Sequence, residues 1–256
     1  MALTWRKEYL DLVLVPVGLL IMFGYHLFLL YRVLNLPETT SIGYENHNKK
    51  AWVERIMQVE AKDRGFAISV ISSNISAATS LSSICLVLSS LIGAWLGSSS
   101  DNIFTSNLIY GDVRSSTVSI KYITLLSCFL LAFTAFVQTT RCFAHAIFLI
   151  SMPNTDIPAT YVEKEMVRGS NYWEVGLRAI YFATTLLLWI FGPIPMFVSV
   201  VVMVAVLHNL DTNSTPLHPY QPLQSHNLFK KIGQGITTEH NQMRNENRNR
   251  TSVVQP

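Results

Sequence analysis

The residues that could do chemistry in this chain are few, and most sit at the margins of apolar runs. Thr124, Ser127, Thr134, Gln138, Arg141 and His145 follow steps of 3, 7, 4, 3 and 4. That spacing puts them on one face of a helix. His26 lies inside the first apolar run, Asn74 opens the second, and Glu174 and Arg178 precede the last. If the helices bundle, six ligand-binding candidates meet near one membrane face: His26, Asn74, Gln138, Arg141, His145 and Arg178. Ionisable groups at membrane depth are costly and are functional hypotheses by default. This set suits a lipid headgroup or small anion, and His26 with His145 also suits a proton relay. In the plainer reading the arginines reach toward anionic headgroups and His26 bonds a neighbouring backbone.

Other chemistries find little support. There is no phosphate-binding Gly-rich loop, GxGxxG, HExxH or GxSxG pattern, and no carboxylate pair lies inside an apolar run. The expectation is a non-enzyme with no catalytic residue, no cofactor and no metal. Cys85, Cys128 and Cys142 lie in apolar runs without CxxC or Cys/His metal spacing, which argues against a disulfide framework or zinc module. Charged residues make up 14% of the 256, against roughly 25% in soluble domains. The net charge of +3 is too small to imply a nucleic-acid partner.

The elements that must position these residues are membrane spans. A bilayer core of about 30 Å needs about 20 apolar residues of helix. Four segments come near that length, about 10–31, 74–96, 120–137 and 179–207. The fold class is therefore all-α, an integral four-transmembrane-helix bundle (1–210) followed by a disordered polar tail (211–256). Loop one holds Arg32, Lys49, Lys50, Arg55, Lys62 and Arg64, and loop three holds Arg141, Lys164, Arg168 and Arg178. Arg6, Lys7, Arg114 and Lys121 fall on the other side, so ten basic residues stand against four. The positive-inside rule then puts loops one and three in the cytosol. Both termini are expected to be extracellular or lumenal, in the plasma membrane or an endomembrane. Asn213 and Asn249 fit N-glycosylation sequons.

Loop one carries Trp52, Val53, Ile56, Met57, Val59 and Phe66 at near-helical spacing among charges. This predicts an amphipathic helix that either packs under the spans or binds a partner or lipid. In loop three, Gly169 reads as a helix stop, and Asn171 with Glu174 as the capping box of a helix starting near Tyr172. In span two, Ser89, Gly93 and Gly97 are four apart, as are Ser72, Ser76 and Ser80. Such rows let helices approach closely, within the chain or between copies. Pro193 and Pro195 remove two backbone donors from span four and predict a kink, either static or a hinge.

Several stretches resemble domain-of-unknown-function family 599, multi-pass membrane proteins of plants and bacteria. The longest is GLRAIYFATTLLLWIFGPIPMF, Gly176 to Phe197. RGSNYWEVGLRA (Arg168 to Ala179), SSLIGAW (Ser89 to Trp95), His26, Pro37, Thr40, Gly43 and Trp52-Val53 agree with it. The resemblance covers nearly all of the chain up to Asp211. Ser73-Asn74 stands where the family often has Arg-Asn, and Lys49 stands where it often has Arg before the Trp-Val step. The resemblance implies a plant-type multi-span protein and no particular reaction.

The functional expectation is a non-enzymatic scaffold or regulatory membrane component. The alternative is an oligomeric transporter or channel for a small solute or ion, with its polar site at the inner end of the bundle. The expected partners are the bilayer, anionic lipid headgroups, and a second copy or another membrane protein.

Overall fold

A computed structural model describes residues 7–97, 114–153 and 157–217 of the chain. Six α-helices carry the fold: α1 (Lys7–Asn35), α2 (Ser41–Gln58), α3 (Gly65–Gly97), α4 (Ser115–Ser151), α5 (Ala159–Trp189) and α6 (Pro193–Asp211). One-turn 3-10 helices at Pro37–Thr39 and Ala61–Asp63 flank α2. The described residues contain no β-strand. Leu10–Asn35, Gly65–Leu96, Ser115–Ser151 and Pro193–Asp211 are long and apolar enough to cross a membrane. Their outer faces expose large apolar side chains such as Leu12, Leu20, Leu27, Val87, Leu131 and Val202. A soluble protein rarely tolerates so much contiguous apolar surface. The protein is a membrane-embedded all-α bundle.

The centre of the bundle is a coiled-coil-like stack. On α4 the buried residues Tyr122, Leu125, Phe129, Ala132, Phe136, Thr139, Phe143, Ala146 and Ile150 alternate steps of three and four. On α3, Ile71, Ala78, Ser82, Cys85, Ser89 and Ile92 are buried in the same register, with Ile75 partly so. This 3-4 period is the seam that near-parallel helices use to interlock. Phe129, Phe136 and Phe143 recur every seven residues on α4. On α5, small residues receive them. A Cβ on Gly169 would stand 2.6 Å from the Phe143 ring, and one on Gly176 would stand 2.8 Å from the Phe136 ring. Neither glycine has room for a side chain, and the same antiparallel register brings Ala183 opposite Phe129 in one core. Gly169 is therefore a packing residue inside a continuous helix and not a stop. Asn171 is an exposed mid-helix residue, so the expected cap there is absent.

The expected fourth span, 179–207, is two antiparallel helices. The chain breaks at Ile190–Gly192, where Gly192 has φ 141 and ψ 170, a region open essentially to glycine alone. Pro193 then opens α6 at its first position, where a missing N–H costs nothing. A kink alone would leave one rod. The glycine conformation reverses the chain, and α6 runs back along α5 and α1.

That reversal fixes the ends. Asp11 of α1 lies with Trp189 at the Gly192 end. Thr212 pairs with Thr40, and the Asn213 amide N–H donates to the Thr39 carbonyl at 3.0 Å, at the α2 end. The two ends of the described chain thus lie at opposite ends of the bundle. This corrects the expectation that 179–207 is a single crossing. Most of the expected tail, with Asn249, lies outside the described residues.

At the α2 end, α4 and α5 continue past the apolar stretch and build a second core. Val53 of α2 packs there with Ile71, Phe143, Ala146, Ile150, Val162 and Met166, joined by Trp52, Ile56 and Met57. Thr40 caps α2 by accepting from the Gly43 N–H at 3.1 Å. Val59 and Phe66 do not belong to its apolar face, for α2 stops at Gln58 and Phe66 is 75% exposed on α3. Arg64 ties the layer together by donating to the Met57, Val59 and Ile150 carbonyls.

Candidate functional site

Two buried charged layers cross the bundle, and both join α1 to its neighbours. At the α2 end, Asp211 is the last residue of α6 and Arg178 lies on α5. Arg178 Nη1 donates to Asp211 Oδ2 at 2.8 Å and Nη2 donates to Oδ1, a bidentate pair. Tyr25 of α1 donates its hydroxyl to the same Oδ2 at 2.5 Å. The Arg178 and Asp211 side chains are only 14% and 5% exposed. Glu174, one turn before Arg178, stands 3.6 Å from its guanidinium. Burial, with repulsion from Glu45 and Asp211, pushes the Glu174 carboxyl above its ordinary value, against the pull of Arg178.

His26 adjoins this layer. Its ring packs edge-on to Tyr25 and at 4.9 Å, tilted, to Phe182. Nδ1 lies 2.7 Å from the Met22 carbonyl. A carbonyl only accepts, so Nδ1 carries the proton of the neutral ring and Nε2 holds a lone pair. His26 Nε2 and Arg178 Nε are both buried without a protein partner. The layer can therefore accept one hydrogen bond and donate one, while its principal charges are already paired.

The second layer is at the Gly192 end. Trp189 donates its indole N–H to Asp11 Oδ1 at 2.7 Å. Lys121 Nζ lies 4.0 Å from the same oxygen and 5.3 Å from the Trp189 ring centroid. Asp11 and Lys121 are buried. From Asp11 to Tyr25 along α1 is about 21 Å. Between the layers the interior is filled by Val15, Met22, Phe129, Ala132, Ala183, Leu186, Met196 and Val200.

Of the sequence-derived candidates, the fold brings His26 and Arg178 into one neighbourhood and disperses the others. Asn74 lies in the third turn of α3 and is exposed. Arg141 and His145 are exposed on α4, His145 stacking on Phe148, and Gln138 is half-buried. The α4 polar face looks outward: Thr124, Ser127 and Thr134 each donate to the carbonyl four residues back. That face is opposed to the Phe/Ala seam, and one helix cannot point both inward. The row Ser89, Gly93, Gly97 is likewise not one contact. Ser89 is buried in the α4 seam, a Cβ on Gly93 would meet nothing within 4 Å, and the Gly97 side is outside the described residues. Pro193 opens α6 and Pro195 follows within its first turn.

Tyr25, Asp211, Asp11, Lys121 and Trp189 were not among the sequence-derived candidates. Asp11 reads as a span edge and Lys121 as a loop charge until the hairpin joins them. Among the described residues no group of three or more His, Cys, Asp and Glu is placed to hold a metal ion. No curated protein and no solved structure matches the chain. Residues 13–216 match the model of the family described as "Protein of unknown function, DUF599", and the chain belongs to that family.

Proposed function

We propose that the protein is a non-enzymatic scaffold or regulatory membrane component that holds a rigid helical platform at the cytosolic face. One observation carries the reading: α4 and α5 pass without a break from the apolar bundle into the second core under α2. A platform built this way cannot swing independently of the spans. The apolar filling between the charged layers also speaks for a structural role over a pathway within one chain. The α2 end carries the basic loops one and three, which favours the cytosol for that end.

The alternative is an oligomeric transporter. It is favoured by the unpartnered His26 Nε2 and Arg178 Nε in the α2-end layer. One experiment separates the two. The full chain is reconstituted in liposomes and assayed with radiolabelled ions and small solutes, and a photo-crosslinker is placed at Arg55 in cells. The platform reading expects no flux above protein-free liposomes and a discrete protein adduct at Arg55. Flux abolished by His26→Ala, with folding and abundance intact, overturns it in favour of transport.

A further inference from the structure

We propose that the outer face of α4 and α5 at the α2 end is a binding site for one anionic phospholipid. Arg141 and His145 are exposed one turn apart on α4, and Lys164 and Arg168 are exposed one turn apart on α5. Side chains at that spacing share a helix face. The two pairs flank one helix contact, because Arg141 adjoins Cys142, Arg168 adjoins Gly169, and a Cβ on Gly169 would stand 3.2 Å from the Cys142 Cβ. Glu165 also reaches Cys142 and is half-buried there.

The occupant follows from what lies above them. On the same face of α4 and toward the bundle centre stand Val137 and Leu130, exposed, with Thr134 between them bonding its own helix. The steps Leu130, Thr134, Val137, Arg141, His145 are 4, 3, 4 and 4, a continuous stripe. A mainly apolar track of about 10 Å leading to a guanidinium complements an acyl chain joined to a phosphate. A free phosphate would use the cations and leave the track unused. Arginine suits the phosphate because its planar fork grips two oxygens. These residues take no part in either buried charged layer, so the site is independent of the functional reading above.

The test is native mass spectrometry of the full chain released from nanodiscs of mixed phosphatidylglycerol and phosphatidylcholine. One phosphatidylglycerol is expected to stay bound per chain in preference to phosphatidylcholine. The R141Q/R168Q variant should weaken its retention about 30-fold, from about 1 kcal/mol per basic residue at a membrane surface. K50Q, at an exposed lysine on α2, should leave retention unchanged, and so should excess inorganic phosphate. Equal retention of the two lipids would reduce the face to ordinary annular contact and overturn the site. So would preferential retention that survives R141Q/R168Q. Displacement by inorganic phosphate alone would overturn the lipid assignment.

Discussion

The Arg178 guanidinium holds both oxygens of Asp211 across 33 residues of chain, and so fastens the end of α6 to the middle of α5. Removing one partner of a buried pair leaves a charge without compensation and costs about 3–5 kcal/mol. Asp211→Asn should lose that much in unfolding of the detergent-solubilised chain. The joint change Arg178→Met with Asp211→Leu should recover most of it, because no charge remains. A loss under about 1 kcal/mol for Asp211→Asn would mean that the pair is open to solvent and does not fasten the hairpin.

The α4–α5 contact rests on shape. Gly176→Ala would press a methyl to 2.8 Å from the Phe136 ring, and such overpacking costs about 1–3 kcal/mol. Phe136→Leu alone leaves a void. The two changes together should be less harmful than their sum, since each relieves the other. Additive losses in thermal unfolding would show that the residues do not meet.

Gly192 and Gly93 make a matched contrast. Gly192→Ala meets the left-handed φ of 141 and should cost about 1–3 kcal/mol. Gly93 is helical with open space around its Cβ position, so Gly93→Ala should be neutral or stabilising by up to about 1 kcal/mol. If Gly192→Ala unfolds at the temperature of the parent chain, the reversal into a hairpin is the wrong connection between α5 and α6.

Glu174 gives a pH dependence of defined sign. Its carboxyl is raised in the folded chain, chiefly by burial, so the folded state binds the proton more tightly than the unfolded one. The ionised form is the disfavoured one, and the penalty is complete above the folded value. It fades as the pH falls toward about 4.3, the ordinary glutamate value. Glu174→Gln should therefore raise the melting temperature at neutral pH, and the gain should vanish at the acid end of that window. A variant less stable than the parent at neutral pH would mean that the contact with Arg178 at 3.6 Å outweighs the burial.

Much of this architecture is legible in the residues. Four apolar helices follow from length and hydropathy alone, and α2 from its amphipathic pattern. The site was less legible, for a physical reason. In a membrane the outer face of a helix is as apolar as its core, so hydrophobic periodicity does not say which face turns inward. Thr124, Ser127 and Thr134 form a polar stripe, yet their hydroxyls bond their own helix and they face out. The informative signal was size: Phe129, Phe136 and Phe143 on α4 against Gly169, Gly176 and Ala183 on α5, each every seven residues. Asp11 and Asp211 were hidden because their partners are distant in sequence, and Asp211 meets Arg178 only after Gly192 turns the chain.

The hairpin also makes a prediction about sidedness. Asn213 donates its side-chain amide to the Glu38 carbonyl at 3.1 Å, so loop one and the residues after α6 share a side. Cysteines introduced at Glu60, whose side chain is 73% exposed, and at the exposed Thr215 should then behave alike toward a membrane-impermeant thiol reagent. With the α2 end in the cytosol, both should be protected in intact cells and label together after permeabilisation, and Asn213 should carry no glycan. Labelling of both in intact cells would invert the orientation and leave the hairpin standing. Labelling at Thr215 with protection at Glu60 would restore a single continuous span over 179–207, and the Arg178–Asp211 pair could not then exist.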